Sequence, residues 1–174
     1  NILKNKISKI EIEEKIKSNF TKCWQYFFDY QIPLITRWKA IFGDIESWTI
    51  WGNCVYNQNL VMSKLVKANH ELLKNNDTWI KRLNDYGDQG LNAMTISELT
   101  GIPRPTVIRK LKILLKRKLL TKDKNNQYLI FSGPGSKNYN TEQIKIMDDI
   151  DKIRKINGNE FSNLITKILN IIIL

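Results

Sequence analysis

Pro105, Thr106, Arg109, Lys112 and Lys116 fall on one side of a segment whose other side carries Val107, Leu111 and Leu114, and Arg104 stands at its start. At about 100° per residue, the three apolar positions lie within about 60° of one another. The segment therefore reads as an amphipathic helix, roughly 104–118. Guanidinium and ammonium groups are donors only, so a row of them suits anions, either phosphate oxygens or the O6 and N7 edge of a guanine. Other chemistry is thin. His70 is the chain's one histidine, and a lone histidine cannot assemble a zinc site. Cys23 and Cys54 show no C-x-x-C spacing, and buried thiols in a reducing cytoplasm are the expectation. No phosphate-loop, dinucleotide-binding, nucleophile-elbow or zinc-protease motif occurs. No catalytic residue, metal site or cofactor is expected, and the protein is not expected to be an enzyme.

The charge is placed unevenly. The 174 residues hold 28 Lys plus Arg against 17 Asp plus Glu, net +11. Residues 1–94 carry 13 basic and 10 acidic side chains, residues 95–131 carry 9 and 2, and residues 132–174 carry 6 and 5. Lys outnumbers Arg 22 to 6, and Ile (26) and Asn (19) are also frequent. All three have A/T-rich codons, and an A/T-rich genome would raise their use. Such a bias raises Lys everywhere but does not strip acids from one segment. An acidic solvating tail is excluded, and the excess centres on 95–131. With 42% apolar residues the chain can bury a core. Its longest apolar run, Ile171–Leu174, falls far short of the roughly 20 residues of a membrane span. Asn1–Lys6 contains no signal-type apolar run. A soluble, cytoplasmic protein without a membrane partner is expected.

The elements that must carry the cationic row are readable from period and punctuation. Ile12, Ile16, Phe20, Trp24 and Phe27 mark a long helix, roughly 8–30, which Pro33 ends or follows with a new start. A second helix covers 34–42 and stops near Gly43. Asp44 caps a third, which runs through Trp48, Trp51 and Val55 towards Leu60 or beyond. Helical periodicity continues over 60–86, with a break at 75–78, and Gly87 and Gly90 mark a loop. Thr95-Ile96-Ser97-Glu98 matches a capping box, opening a helix of about six residues that Gly101 ends. Pro103 and Pro105 frame the start of the cationic helix. Leu119–Lys122 and Gln127–Phe131 are β-type runs around a turn at Asp123–Asn126. After the linker-like Ser132–Ser136, a helix carries Ile146, Ile150 and Ile153 and is interrupted at Asn157-Gly158. A last helix, about 160–173, carries Phe161, Leu164, Ile165, Ile168, Leu169 and Ile172.

Short helix, glycine-containing turn, longer helix and hairpin is the order of a winged helix-turn-helix. The run Ile96-Ser97-Glu98-Leu99-Thr100-Gly101-Ile102-Pro103-Arg104-Pro105-Thr106-Val107 resembles the helix-turn-helix of bacterial winged-helix repressors. Its Gly-Ile-Pro-Arg-Pro-Thr-Val turn is similar to that of IclR-type regulators, and the resemblance covers 90–131. Helices before and after the winged unit are similar in architecture to MarR-type regulators, which dimerise through their terminal helices. Where that family's wing carries Asp-x-Arg, this chain has Asp123-Lys124-Asn125.

A mainly α fold follows, with N- and C-terminal helices forming a dimerisation region. Its expected divisions are 1–60 (N-terminal helices), 61–131 (winged DNA-binding unit) and 132–174 (linker and C-terminal helices). Arg104, Thr106 and Arg109 are the candidates for base edges, and Pro105 for a thymine methyl. Thr95 and Ser97 would contact phosphate at the preceding helix, and Lys112, Lys116, Lys122 and Lys124 would meet the backbone. The apolar residues Ile146, Ile150, Ile153 and 161–174 exceed what a 42-residue winged unit can cover, which predicts a twofold homodimer. Trp48, Trp51 and Tyr56 have two readings. Aromatic residues at helical spacing are most often core, and the resemblance to MarR-type regulators offers a small-molecule effector pocket instead. The expected function is a sequence-specific, dimeric transcriptional regulator of double-stranded DNA. Its rivals are a replication-initiation or chromosome-organising DNA-binding protein and a winged-helix module that binds another protein.

Overall fold

A computed structural model of the protein describes residues 7–68, 90–123, 125–130 and 141–173. Among these the chain is mainly helical, with one small two-stranded antiparallel sheet. It forms two compact units, one from Asn1–Trp38 with Asp149–Leu174 and one from Lys39–Asp148. The expected division at 60/61 falls inside a continuous helix, and residues 39–60 belong to the same unit as the cationic helix.

The terminal unit is built from α1 (Lys9–Ser18), most of α2 (Phe20–Phe42) and most of α6 (Thr141–Ile173). Ser8 and Glu11 start α1 with a capping box, each side chain satisfying the other's free backbone N–H at 3.2 and 2.7 Å. The helix expected over 8–30 is divided at Asn19, whose amide donates to the Lys15 carbonyl at 3.0 Å. Asn competes for backbone partners in this way and so disfavours an uninterrupted helix. Pro33, expected to end or start a helix, lies inside α2. A proline in a helix interior costs about 3 kcal/mol. Trp38 and Phe42 beyond it are nearly fully buried, so packing carries the helix past the defect.

The break expected at Asn157-Gly158 is also absent, since α6 runs unbroken for 33 residues. Asn157 is buried and accepts a hydrogen bond from Arg37 Nε at 2.9 Å. Arg37 also forms a two-pronged ion pair with Glu160. Tyr30 packs on Phe161 with ring centroids 5.6 Å apart, and Lys167 sits over Tyr26. Lower numbers on α2 thus meet higher numbers on α6, so the two helices run antiparallel in this unit. A polar residue and a glycine survive mid-helix because tertiary partners outweigh a propensity cost of about 1 kcal/mol.

In the second unit, Gly43 (φ 83°) closes α2 and Asp44 caps α3 (Ile45–Ala68) as expected, its carboxylate accepting from the Ser47 N–H at 2.7 Å. The helix α4 (Ala93–Thr100) begins three residues earlier than the Thr95 capping box implies. Asn92 is the cap, its side-chain oxygen accepting from the N–H groups of both Met94 and Thr95 at 2.9 Å. Thr95 therefore sits inside the first turn. Gly101 (φ 68°) ends α4, and Pro103 and Pro105 open α5 (Arg104–Lys116).

The chain leaves α5 through Lys118 in a left-handed conformation (φ 57°), with Leu119 N–H bonded to the Leu114 carbonyl. Strands β1 (Leu120–Lys122) and β2 (Tyr128–Ile130) then pair, Thr121 opposite Leu129. Asp123 closes the turn by accepting from the N–H groups of Asn125 and Gln127 at 2.8 Å. Leu91 bridges to the other edge of β2 through two backbone hydrogen bonds of 2.8 and 3.1 Å with Tyr128. Gly90 makes that approach feasible, because a Cβ there would stand 2.6 Å from Gln127 Cβ. Ile50, Cys54, Ile96, Val107, Leu111, Leu114 and Leu120 form the core of this unit, and Gln58 on α3 accepts from Ile130 N–H at 2.6 Å.

Candidate nucleic-acid interface

The two faces of α5 separate as their periodicity requires. Val107, Leu111 and Leu114 are 0% exposed, whereas Arg104, Pro105, Arg109, Lys112 and Lys116 are exposed and Thr106 is half-buried. Among the described residues, none of Arg104, Arg109, Lys112 and Lys116 has an ion-pair partner. A helix side carrying four unpaired cations holds an anion-attracting field that internal carboxylates would otherwise cancel.

Two other cations on the same stretch behave differently. Lys110 is nearly buried and its ammonium meets Asp44 Oδ2 at 2.6 Å and Glu46 Oε2 at 3.5 Å. Arg117 donates to the Ile41 carbonyl at 2.7 Å. Both tie α5 to the corner between α2 and α3, one near its middle and one at its end. Burial raises the Asp44 carboxyl, but hydrogen bonds from Lys110 and Ser47, with the Lys110 charge, outweigh that and hold it below its ordinary value of 3.8. Lys110 lies about 60° around the helix from Val107 at 100° per residue, on the buried side. That angle sets it apart from Arg109, Lys112 and Lys116, which lie about 140–180° from Val107.

The remaining expected contacts are scattered in kind. Thr95 is half-buried in the first turn of α4. Ser97 donates its hydroxyl to the Ile102 carbonyl at 2.7 Å, which braces the turn between α4 and α5. Lys122 is exposed on β1 with its ammonium 5.0 Å from the centre of the Tyr128 ring. Lys124 lies outside the described residues. Met94, Leu99 and Ile113 add exposed apolar area on α4 and α5, a feature the sequence reading did not single out.

The aromatic residues of α3 have separate surroundings. Trp51 donates its indole N–H to the Leu119 carbonyl at 3.2 Å and packs on Phe42, centroids 5.0 Å apart. Trp48 is half-buried and Tyr56 is 63% exposed. Trp51 and Tyr56 stand about 140° apart around the helix at 100° per residue, so α3 directs them to different surroundings. Cys54, between them, is 1% exposed, and burial pushes its thiol up to about 12, so it stays protonated near neutral pH.

Among the described residues no cluster of His, Cys, Asp and Glu could hold a metal ion, and no helix is long and apolar enough to cross a membrane. Compared with protein-family models, with curated proteins and with solved structures, the chain matches none.

Proposed function

We propose that the protein is a sequence-specific regulator of transcription that binds double-stranded DNA as a homodimer, without catalysing a reaction. One observation carries the reading: α5 rests on a closed apolar core and exposes four cations that have no ion-pair partner among the described residues. A major groove admits one such helix, whose first residues reach base edges. Arg104, Thr106 and Arg109 then read bases, Arg109 by two hydrogen bonds to one guanine, and Pro105 touches a thymine methyl. Lys112 and Lys116 lie on phosphates, and the β1–β2 hairpin with Lys122 acts as a wing on the backbone. The order α3, Leu91 bridge, α4, α5, hairpin supports a winged helix-turn-helix. The pairs Lys110–Asp44 and Arg117–Ile41 support a helix held at a defined angle.

The dimer is supported by apolar residues the single chain leaves uncovered. Phe20, Trp24, Phe28 and Ile32 recur every fourth residue on α2, and Phe161, Ile165, Leu169 and Ile173 on α6, all exposed. Ile150, expected at that interface, is instead 2% exposed within the single chain, because it faces inward on α6. Light scattering at micromolar concentration is expected to give twice the chain mass, and Phe161→Glu with Leu169→Glu to give a monomer. A monomeric unsubstituted protein rejects the dimer.

Selection of random duplexes by the purified protein at two salt concentrations tests the DNA reading. A single enriched motif and weaker binding at high salt are expected. Arg109→Ala should then cost about 1–3 kcal/mol on that motif and relax one position. The apolar residues Met94, Leu99 and Ile113 beside the cations favour a second reading, a module that docks another protein. Absence of salt-dependent DNA affinity selects it.

A further inference from the structure

The seam between α2 and α6 changes character along its length. Where Arg37 meets Asn157 and Glu160, its one cation is matched by a carboxylate, and Tyr30 packs on Phe161. Towards the start of α2 the seam opens into a half-open cavity of about 430 Å³ lined by Lys15, Asn19, Lys22, Tyr26, Lys167, Asn170 and Ile171. Helical hydrogen bonding carries across Asn19, which donates to the Lys15 carbonyl and accepts from Cys23 N–H at 3.0 Å. Positions 15, 19, 22 and 26 are spaced four, three and four, so they form one stripe facing α6. Asn19 and Tyr26 in this stripe are half-buried, and Lys15 and Lys22 are exposed.

Three ammonium groups on this cavity have no carboxylate partner among the described residues. Acids are not scarce nearby, since α1 itself carries Glu11, Glu13 and Glu14, but none lines the cavity. Three cations around one hollow leave a positive field there that no carboxylate lining it cancels. Lys167 is held over the Tyr26 ring, 4.9 Å from its centre, which limits the directions its ammonium takes.

We propose that this cavity is a binding site for a compact polyanion, a small phosphate-bearing or polycarboxylate molecule. Lys15, Lys22 and Lys167 neutralise its charge, and the Asn170 amide supplies a neutral donor. A half-open hollow of this size suits a small molecule better than a duplex backbone, which needs a long ridge of cations.

Calorimetric titration of the full chain with inorganic pyrophosphate, and separately with citrate, tests the site. One saturable event is expected, weakened about tenfold by Lys22→Gln or Lys167→Gln and retained in Lys155→Gln and Arg109→Ala. Lys167→Arg, which keeps the charge and the ring contact, should bind nearly as well, and this controls for a folding defect in Lys167→Gln. Binding of both anions indicates recognition of charge alone, and of pyrophosphate alone a phosphate-bearing ligand. No saturable binding at millimolar anion, or binding that survives both Gln substitutions, overturns the proposal. Displacement of pyrophosphate by duplex DNA assigns the lysines to nucleic acid instead and also overturns it.

Discussion

The two units use the same residue types in opposite ways. The Lys39–Asp148 unit closes an apolar core and leaves cations outside, with Ile50, Ile96, Val107, Leu111 and Leu114 at 0% exposure beneath Arg104, Arg109, Lys112 and Lys116. The terminal unit is made of long helices that bury Cys23, Trp38, Ile150 and Leu164 yet leave Phe20, Trp24, Phe161 and Leu169 about half exposed. Its cations are placed differently, Arg37 on a carboxylate and the exposed Lys15, Lys22 and Lys167 around a half-open cavity. A unit with a closed core has its apolar side chains already covered. A unit with uncovered aromatic stripes gains most of its hydrophobic stabilisation only when another surface covers them.

The contrast is broken most directly by equal truncations in the two units. Leu111→Ala should lower unfolding free energy by about 2–5 kcal/mol in urea titrations, since it opens a cavity in a sealed core. Leu169→Ala, on a half-exposed site, should change it by about 0.5 kcal/mol or less at dilution where any dimer is dissociated. Equal losses would mean that α6 is packed as tightly as α5. A smaller effect is expected at the start of α4. Asn92→Ala should cost about 1 kcal/mol, because two N–H groups lose their acceptor, whereas Thr95→Ala should cost less. The reverse ranking would restore Thr95 as the cap.

The mildest effect is a pH dependence confined to the second unit. The folded Asp44 carboxyl lies below its ordinary 3.8, so it binds a proton less readily folded than unfolded. Its stabilisation is complete above that value and is lost as pH falls below it through the folded value. Asp44→Asn should therefore flatten the acid limb of a stability profile between pH 5 and pH 2, with little added loss at pH 2. An unchanged acid limb would remove the Lys110–Asp44 pair from the account.

Several features were legible because they depend on neighbours within one helical turn. The inward row of α5, the Asp44 cap, the Gly101 turn and the 120–130 hairpin all follow from local period and capping chemistry. Lys110 was legible only in part, since its angle placed it on the buried side while its partners lie more than sixty residues earlier. The misplaced α4 start has a local cause. Two capping signals, Asn92 and Thr95, lie three residues apart, and a pattern of types does not say which one the chain uses. The cavity beneath Lys167 had no signature, because Lys15, Lys22 and Lys167 are cationic residues like many others until two helices bring them together.

The sequence by itself determined which faces of the short helices turn inward and that the charge excess sits on residues 95–131. These are sums over adjacent residues, and the backbone repeats of 3.6 and 2 convert them into faces. Only the tertiary structure decided that α2 runs through Pro33 and α6 through Asn157-Gly158, that Arg37 finds Glu160, and that three lysines meet at one cavity. Local penalties of about 1–3 kcal/mol argued for breaks at those points. Buried contacts from residues more than a hundred positions away outweighed them, and no local window contains those partners.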